Sequence, residues 1–238
     1  MNMYNNLVLV INPGDYKFIY NGKVYYRYMD QIYIPAPPCK LLKEDVISLS
    51  EIRMQLNHSV INYEYTKLLI NELIKCIPPE NMSKMIDFGC GGGILSDVII
   101  DFNINKINEV IGLDMCSMAV NKSPLAYEKN NLVNYKSYLF NDCTNLNIGS
   151  ETIDSVISSF VMHFTIYENQ LVEIYRVLKP GGYFVYNDYI YQKYPDHTKK
   201  IIQSIEKIGF SIEEKIISLI EPKSNSLKKH KIVIARKL

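Results

Sequence analysis

The residues best placed to do chemistry lie in Met85-Ile-Asp-Phe-Gly-Cys-Gly-Gly-Gly-Ile-Leu-Ser96. An apolar run ends at Asp87, glycines recur at 89, 91 and 93, and apolar spacing resumes at Ile94. Glycine takes positive φ readily and lets a ligand approach the backbone with no Cβ in the way. A helix opening at 94 would turn its unpaired N–H groups toward that ligand. Two more acids follow apolar runs, Asp114 after Val110-Ile-Gly-Leu and Asp142 after Tyr138-Leu-Phe, and Ser158-Ser159 follow Ile153-Asp-Ser-Val-Ile. Taken singly, Asp114 or Asp142 could be a solvated turn residue or a helix cap, but three acids at three successive strand ends exceed what solvation explains. A dinucleotide fingerprint needs a glycine at 94, where this chain has Ile, and its pyrophosphate would be opposed by Asp87. A phosphate-cradling P-loop is excluded as well, because no Gly-Lys-Ser/Thr follows.

The surrounding pattern says what must position these groups. Strand-like runs fall at 84–88, 108–113, 135–140, 153–158 and 182–187, separated by amphipathic stretches near 94–102, 116–129 and 167–178. This alternation predicts an α/β fold with a mostly parallel sheet and helices on both faces. A helix near 197–208 ends at Gly209, and two last strands, 211–219 and 231–236, have no helix between them, which predicts an antiparallel hairpin at one sheet edge. In such a sheet, ligands bind beyond the carboxyl ends of the strands, where strand order reverses.

Upstream, residues 43–77 read as helices stopped by Pro78-Pro79. Residues 1–42 hold seven of the nineteen tyrosines. Asn21-Gly22 between strand-forming residues predicts a hairpin. It sets Phe18, Tyr20, Tyr25 and Arg27 on one face against Ile19, Val24, Tyr26 and Tyr28 on the other. Neither face is cleanly polar, so the hairpin is expected to be covered on both sides, by the main domain and by a substrate or a second subunit. Residues 1–82 then form a Tyr-rich hairpin and helical lid, and 83–238 the sheet domain.

Asp87-x-Gly89-x-Gly91-x-Gly93, then Asp114, Asp142 and Leu178-Lys-Pro-Gly-Gly-Tyr-Phe-Val185, resembles the class I S-adenosylmethionine-dependent methyltransferases over residues 83–238. The resemblance implies a Rossmann-like, seven-stranded sheet and the methyl donor S-adenosyl-L-methionine, with S-adenosyl-L-homocysteine as product and no metal. It implies that Gly89, Cys90, Gly91 and Gly93 pack under the methionyl part, with Asp87 near the ammonium. Asp114 would accept from the ribose hydroxyls, a task suited to carboxylate geometry. Met115 would lie against the adenine, Asp142 would accept from its exocyclic amine, and the Cys143 backbone would sit beside the ring. Ser158 and Ser159 would edge the sulfonium region. The alternatives are that Ser117 only caps a helix, that Pro180-Gly181-Gly182 is a turn before a strand, and that Cys90 and Cys143 fill space.

The recipient of the methyl group is less visible. His163 follows the fourth strand of this domain, as a base or as a residue that orients its loop, and Asp188 ends the fifth. Both are candidate catalytic and substrate-contacting residues, with Tyr28 and Tyr191 as candidate substrate contacts and His58 as a candidate cover for the donor. Ser158-Ser-Phe-Val lacks the Asn/Asp-Pro-Pro-aromatic run of the DNA amino-methyltransferases that this fold resembles, and the only Pro-Cys is Pro38-Cys39. With no continuous basic stripe, a small molecule methylated on O or N is the expected acceptor, rather than nucleic acid or a membrane. RNA or protein as acceptor, or a non-catalytic partner that binds the donor and associates through the hairpin, are the competing readings. A homodimer through the hairpin is compatible with either.

Composition agrees with a soluble globular protein. The 238 residues are 47% hydrophobic and 21% charged, with net charge +1. Residues 199–238 hold ten Lys or Arg against four Glu, which reads as a solvated face. Five scattered cysteines suit a reducing compartment. The opening residues show no basic n-region and an apolar run only five long, so a cytoplasmic location is expected.

Overall fold

The structure is a computed structural model that describes residues 16–29, 32–37, 40–55, 63–132, 134–141, 145–162, 168–189, 195–222 and 225–238; of 27–29, 32, 189 and 195–198 it describes the backbone. A small antiparallel sheet comes first, β1 (Lys17–Tyr20), β2 (Lys23–Met29) and β3 (Ile32–Ile34), followed by helices α1 (Lys43–Gln55) and α2 (Tyr63–Ile74). The main sheet then alternates with helices: β4 (Lys84–Phe88), α3 (Ile94–Asp101), β5 (Glu109–Asp114), α4 (Ser117–Lys129), β6 (Tyr135–Leu139), β7 (Ile153–Ser158), α5 (Glu168–Val177), β8 (Leu178–Tyr189), α6 (Pro195–Ile208), β9 (Phe210–Glu221) and β10 (Ser226–Lys237). Among the described residues, no helix is long and apolar enough to cross a membrane.

The seven strands run in the order β6-β5-β4-β7-β8-β10-β9, parallel except for β10, which is antiparallel to both β8 and β9. Chain order therefore reverses between β4 and β7, and the crevice beyond their carboxyl ends is the expected ligand seat. Central strands buried on both faces need near-continuous apolar runs, which Met85-Ile86 and Val110-Ile111 supply. Helices α2, α3 and α4 cover one face, where Ile70, Leu73, Leu95, Val98 and Tyr127 pack with Met85, Val110 and Val185. Helices α5 and α6 cover the other, where Leu171, Ile174 and Ile205 pack with Ile86, Ile111 and Phe184.

One local feature departs from the sequence expectation. Pro180-Gly181-Gly182 is not a turn ahead of the strand but a bulge within β8, where the register with β7 steps from Ile153–Leu178 to Ser155–Tyr183. In the hairpin, the chain itself packs one face. Phe18 and Tyr25 pack with Tyr33, Ile34, Leu49 and Ile52, whereas Ile19 and Tyr26 on the other face are 68% and 46% exposed. The third strand, β3, supplies part of that cover. Pro124 inside α4 has no N–H for the carbonyl of Val120, and Ser137 Oγ donates to that oxygen instead at 2.8 Å.

Candidate active site

The glycine loop is built by backbone demands. Gly89, Gly91 and Gly93 all have positive φ, at 82°, 50° and 83°. The N–H groups of Gly89 and Cys90 both donate to the Leu113 carbonyl, at 2.7 and 3.1 Å, which ties the loop to the end of β5. Gly89 has a second reason to be glycine: a Cβ there would lie 2.2 Å from Val161 Cγ2. Gly92 has ordinary φ and open space around the equivalent position. Gly89→Ala is accordingly expected to destabilise the protein by about 2–4 kcal/mol through strained φ and overpacking. Gly92→Ala should leave stability unchanged or raise it by up to about 1 kcal/mol. Thermal melting of the two variants checks the contrast, and equal melting points would contradict it.

Register puts Asp87 beside Gly112 and Ile157, so Asp87, Gly112 and Asp114 share the face covered by α2, α3 and α4. Asp114 is 7% exposed. Its Oδ2 accepts from the Gly91 N–H at 3.0 Å and its Oδ1 from the Cys116 N–H at 2.9 Å. Burial raises its pKa, and those two backbone donors pull it down. Asp87 is 6% exposed, and among the described residues its carboxylate has no hydrogen-bond partner. Burial first, then the charge of Asp114, pushes its pKa up to about 7. A carboxylate held this way is what a cationic ligand would complement.

Other expected residues fall into distinct places. Cys90 is buried, with its thiol 3.8 Å from Ser123 Oγ, and burial drives its pKa well up, so it is a neutral packing group rather than a nucleophile. Gly112 makes room for Tyr135, whose phenol oxygen would be 1.9 Å from a Cβ at 112. Tyr135 stacks on Tyr127 at 3.7 Å, forming an aromatic floor near Asp87. Ser158 is fully buried, and its hydroxyl donates to the Phe88 carbonyl at 2.8 Å, joining β7 to β4. Met115 and Ser159 are half-buried beside the loop ends. Asp188 is wholly buried, on the sheet face that carries Phe184 and Tyr186, and opposite Lys231 in the register with β10. Asp142, Cys143, His163, Tyr191, His58 and the side chain of Tyr28 lie outside the described residues.

Three contacts were invisible to sequence reasoning. Ser50 of α1 donates to Asp114 Oδ1 at 3.5 Å, so the helix reaches over the acidic seat. Arg53, one turn on, lies over the Phe160 ring. The Tyr65 hydroxyl on α2 hydrogen-bonds His230 Nε2 of β10. Phe160 has positive φ, and its N–H donates to Asn187 Oδ1 at 2.8 Å, which fixes the turn leaving β7.

Residues 86–186, from within β4 to within β8, match a family model described as a methyltransferase domain. Over this stretch the chain resembles methyltransferase domains. A malonyl-acyl-carrier-protein O-methyltransferase of Marinomonas sp. is 25% identical over 137 residues, covering 57% of this chain and 49% of its own length. A sterol 24-C-methyltransferase of Candida albicans is 32% identical over 136 residues, covering 56% of this chain and 34% of its own. The chain thus spans half or less of these curated relatives. Among solved structures, the YcgJ protein of Bacillus subtilis is similar in fold, with a TM-score of 0.56 over 73% of this chain and 98% of that one, at 13% identity.

Proposed function

We propose that the protein transfers a methyl group from S-adenosyl-L-methionine to an oxygen or nitrogen of a small molecule. The observation that carries this reading is the pair of nearly buried acids, Asp87 and Asp114, flanking a glycine loop at the sheet's reversal point. The residues present fit the donor. Asp87 has no hydrogen-bond partner among the described residues and asks for a cation, and the space over Gly91 would accept a ligand without meeting side chains. Asp114 accepts two backbone N–H groups and the longer contact of Ser50 at 3.5 Å, so of a carboxylate's about four acceptor sites one is open and a second opens when a ribose hydroxyl replaces Ser50. It can therefore take ribose hydroxyls without abandoning the loop.

The donor supplies an activated methyl group on a sulfonium, which leaves as part of a neutral thioether. The chain's own residues bind, orient and exclude water. Asp87 would hold the ammonium, Asp114 the ribose, and Met115 with Asp142 and Cys143 the adenine, while Ser158 and Ser159 border the methionyl end. His163 and Asp188 are the candidates to receive a proton from an acceptor hydroxyl or ammonium, with Tyr28 and Tyr191 against the acceptor. Residues 1–82 serve as the lid, a role that the contact of Ser50 with Asp114 favours.

Titration calorimetry with S-adenosylmethionine and S-adenosylhomocysteine tests the premise. Micromolar binding is expected, and its absence at high micromolar ligand would sink the reading. Methyl-transfer assays on a metabolite panel then separate an enzyme from a non-catalytic donor-binding partner, which would bind and never turn over.

A further inference from the structure

Helix α1 crosses the ligand rim of the sheet and carries a cation that makes no ion pair among the described residues. Ser50 meets Asp114 at the end of β5. Three residues on, the Arg53 guanidinium lies 5.3 Å from the centroid of Phe160, just beyond β7. Between those strands stands β4, with Asp87 and the glycine loop. Arg53 therefore sits across the cleft from Asp114, on the β7 side.

The guanidinium is half-buried and donates to Thr66 Oγ1 at 3.5 Å. Among the described residues it makes no ion pair. Its charge is also felt by the half-buried Tyr63 phenol. The acids on neighbouring turns are engaged elsewhere, Glu51 by the Tyr20 hydroxyl and Glu64 by Lys67. An arginine has five N–H donors in a planar fork, and among the described residues the hydrogen bond to Thr66 uses one of them.

The chain uses arginine sparingly, with four among its 26 basic residues. Two of the others show why it is used at all. Arg176 places Nε and Nη2 on the two oxygens of Glu173, both at 2.8 Å, and reaches the Leu146 and Ile148 carbonyls. Arg236 stacks over Tyr183 at 6.0 Å. Each exploits the planar fork that lysine lacks. Arg53 lies over a ring and, among the described residues, spends its edge only on the long contact with Thr66, an arrangement that can receive a carboxylate through two parallel hydrogen bonds.

We propose that Arg53 binds a carboxylate in the cleft, either the methyl donor's own α-carboxylate or one carried by the acceptor. The proposal rests on reading the cleft as the donor's seat. Binding of S-adenosylhomocysteine is compared with that of its decarboxylated analogue, which keeps the nucleoside, sulfur and amine. If the donor is the source, the wild type prefers S-adenosylhomocysteine by roughly 10- to 100-fold, and Arg53→Gln binds both alike. If the acceptor is the source, Arg53→Gln binds S-adenosylhomocysteine like the wild type. The wild type saturated with it then binds benzoate in preference to benzamide, and Arg53→Gln loses that preference. Arg53→Lys, which keeps the cation, is expected to recover part of either preference and carries the test should Arg53→Gln melt at lower temperature. A wild type with neither preference, or a preference that survives intact in both variants, overturns the proposal while leaving the donor reading standing. A wild type that binds neither nucleoside sinks the donor reading, and this proposal with it.

Discussion

Asp114→Ala is expected to weaken S-adenosylhomocysteine binding by about 100- to 10,000-fold, since hydrogen bonds to a charged acceptor contribute about 1.5–3 kcal/mol each and two ribose hydroxyls are lost. Turnover should vanish with it. The same carboxylate also accepts from the Gly91 and Cys116 N–H groups, so alanine removes a support of the loop. The measurement must separate these roles. Removing the acid relieves the burial that raises its pKa but leaves two backbone donors to water, so the opposing effects on stability are expected to cancel to within about 1 kcal/mol. Calorimetry and thermal melting on one preparation decide the matter. A large loss of affinity with little change in melting supports the ribose role. A lowered melting temperature with unchanged affinity would make Asp114 a loop cap and nothing more.

Local patterns made most of the sheet legible. Strands buried on both faces need apolar runs, and each run ended close to where the chain's acids and glycines stand, so Asp87, Gly89, Gly91, Gly93 and Asp114 could be placed before any coordinates. The register confirms that Asp87 and Asp114 lie on adjacent strands and share a face. What stayed hidden depends on contacts between distant parts of the chain. Ser50 meets Asp114 across 64 residues, and Tyr65 meets His230 across 165; neither separation leaves a periodic trace. Arg53 carried one weak signal, an arginine in a lysine-rich chain, which gains meaning only once Phe160 lies beneath it. The bulge at 180–182 was hidden for a different reason. Pro-Gly-Gly ordinarily marks a turn, and only pairing with β7 on both sides of it makes one strand of Leu178–Tyr189.

Asp87→Asn should act in opposite directions on stability and on binding. In the free protein Asp87 holds its proton up to about pH 7, against an ordinary value of 3.8. Between those values the unfolded chain has released a proton that the native state keeps, so native stability falls as pH rises through this window, and the penalty is complete above about 7. A shift of this size corresponds to about 4 kcal/mol at most. The neutral amide escapes that cost, so Asp87→Asn should melt higher than the wild type at pH 8 and nearly level with it at pH 4. Binding runs the other way. A cationic ammonium favours the ionised acid, so donor affinity in the wild type should fall as pH drops below about 7, approaching tenfold per unit, while Asp87→Asn binds weakly and with little pH dependence. Because the charge of Asp114 contributes to the high pKa of Asp87, Asp114→Asn should move the wild-type transition to lower pH. Calorimetry from pH 5.5 to 8 on the three proteins reads all of this. Identical pH profiles for wild type and Asp87→Asn would remove Asp87 from the donor's seat.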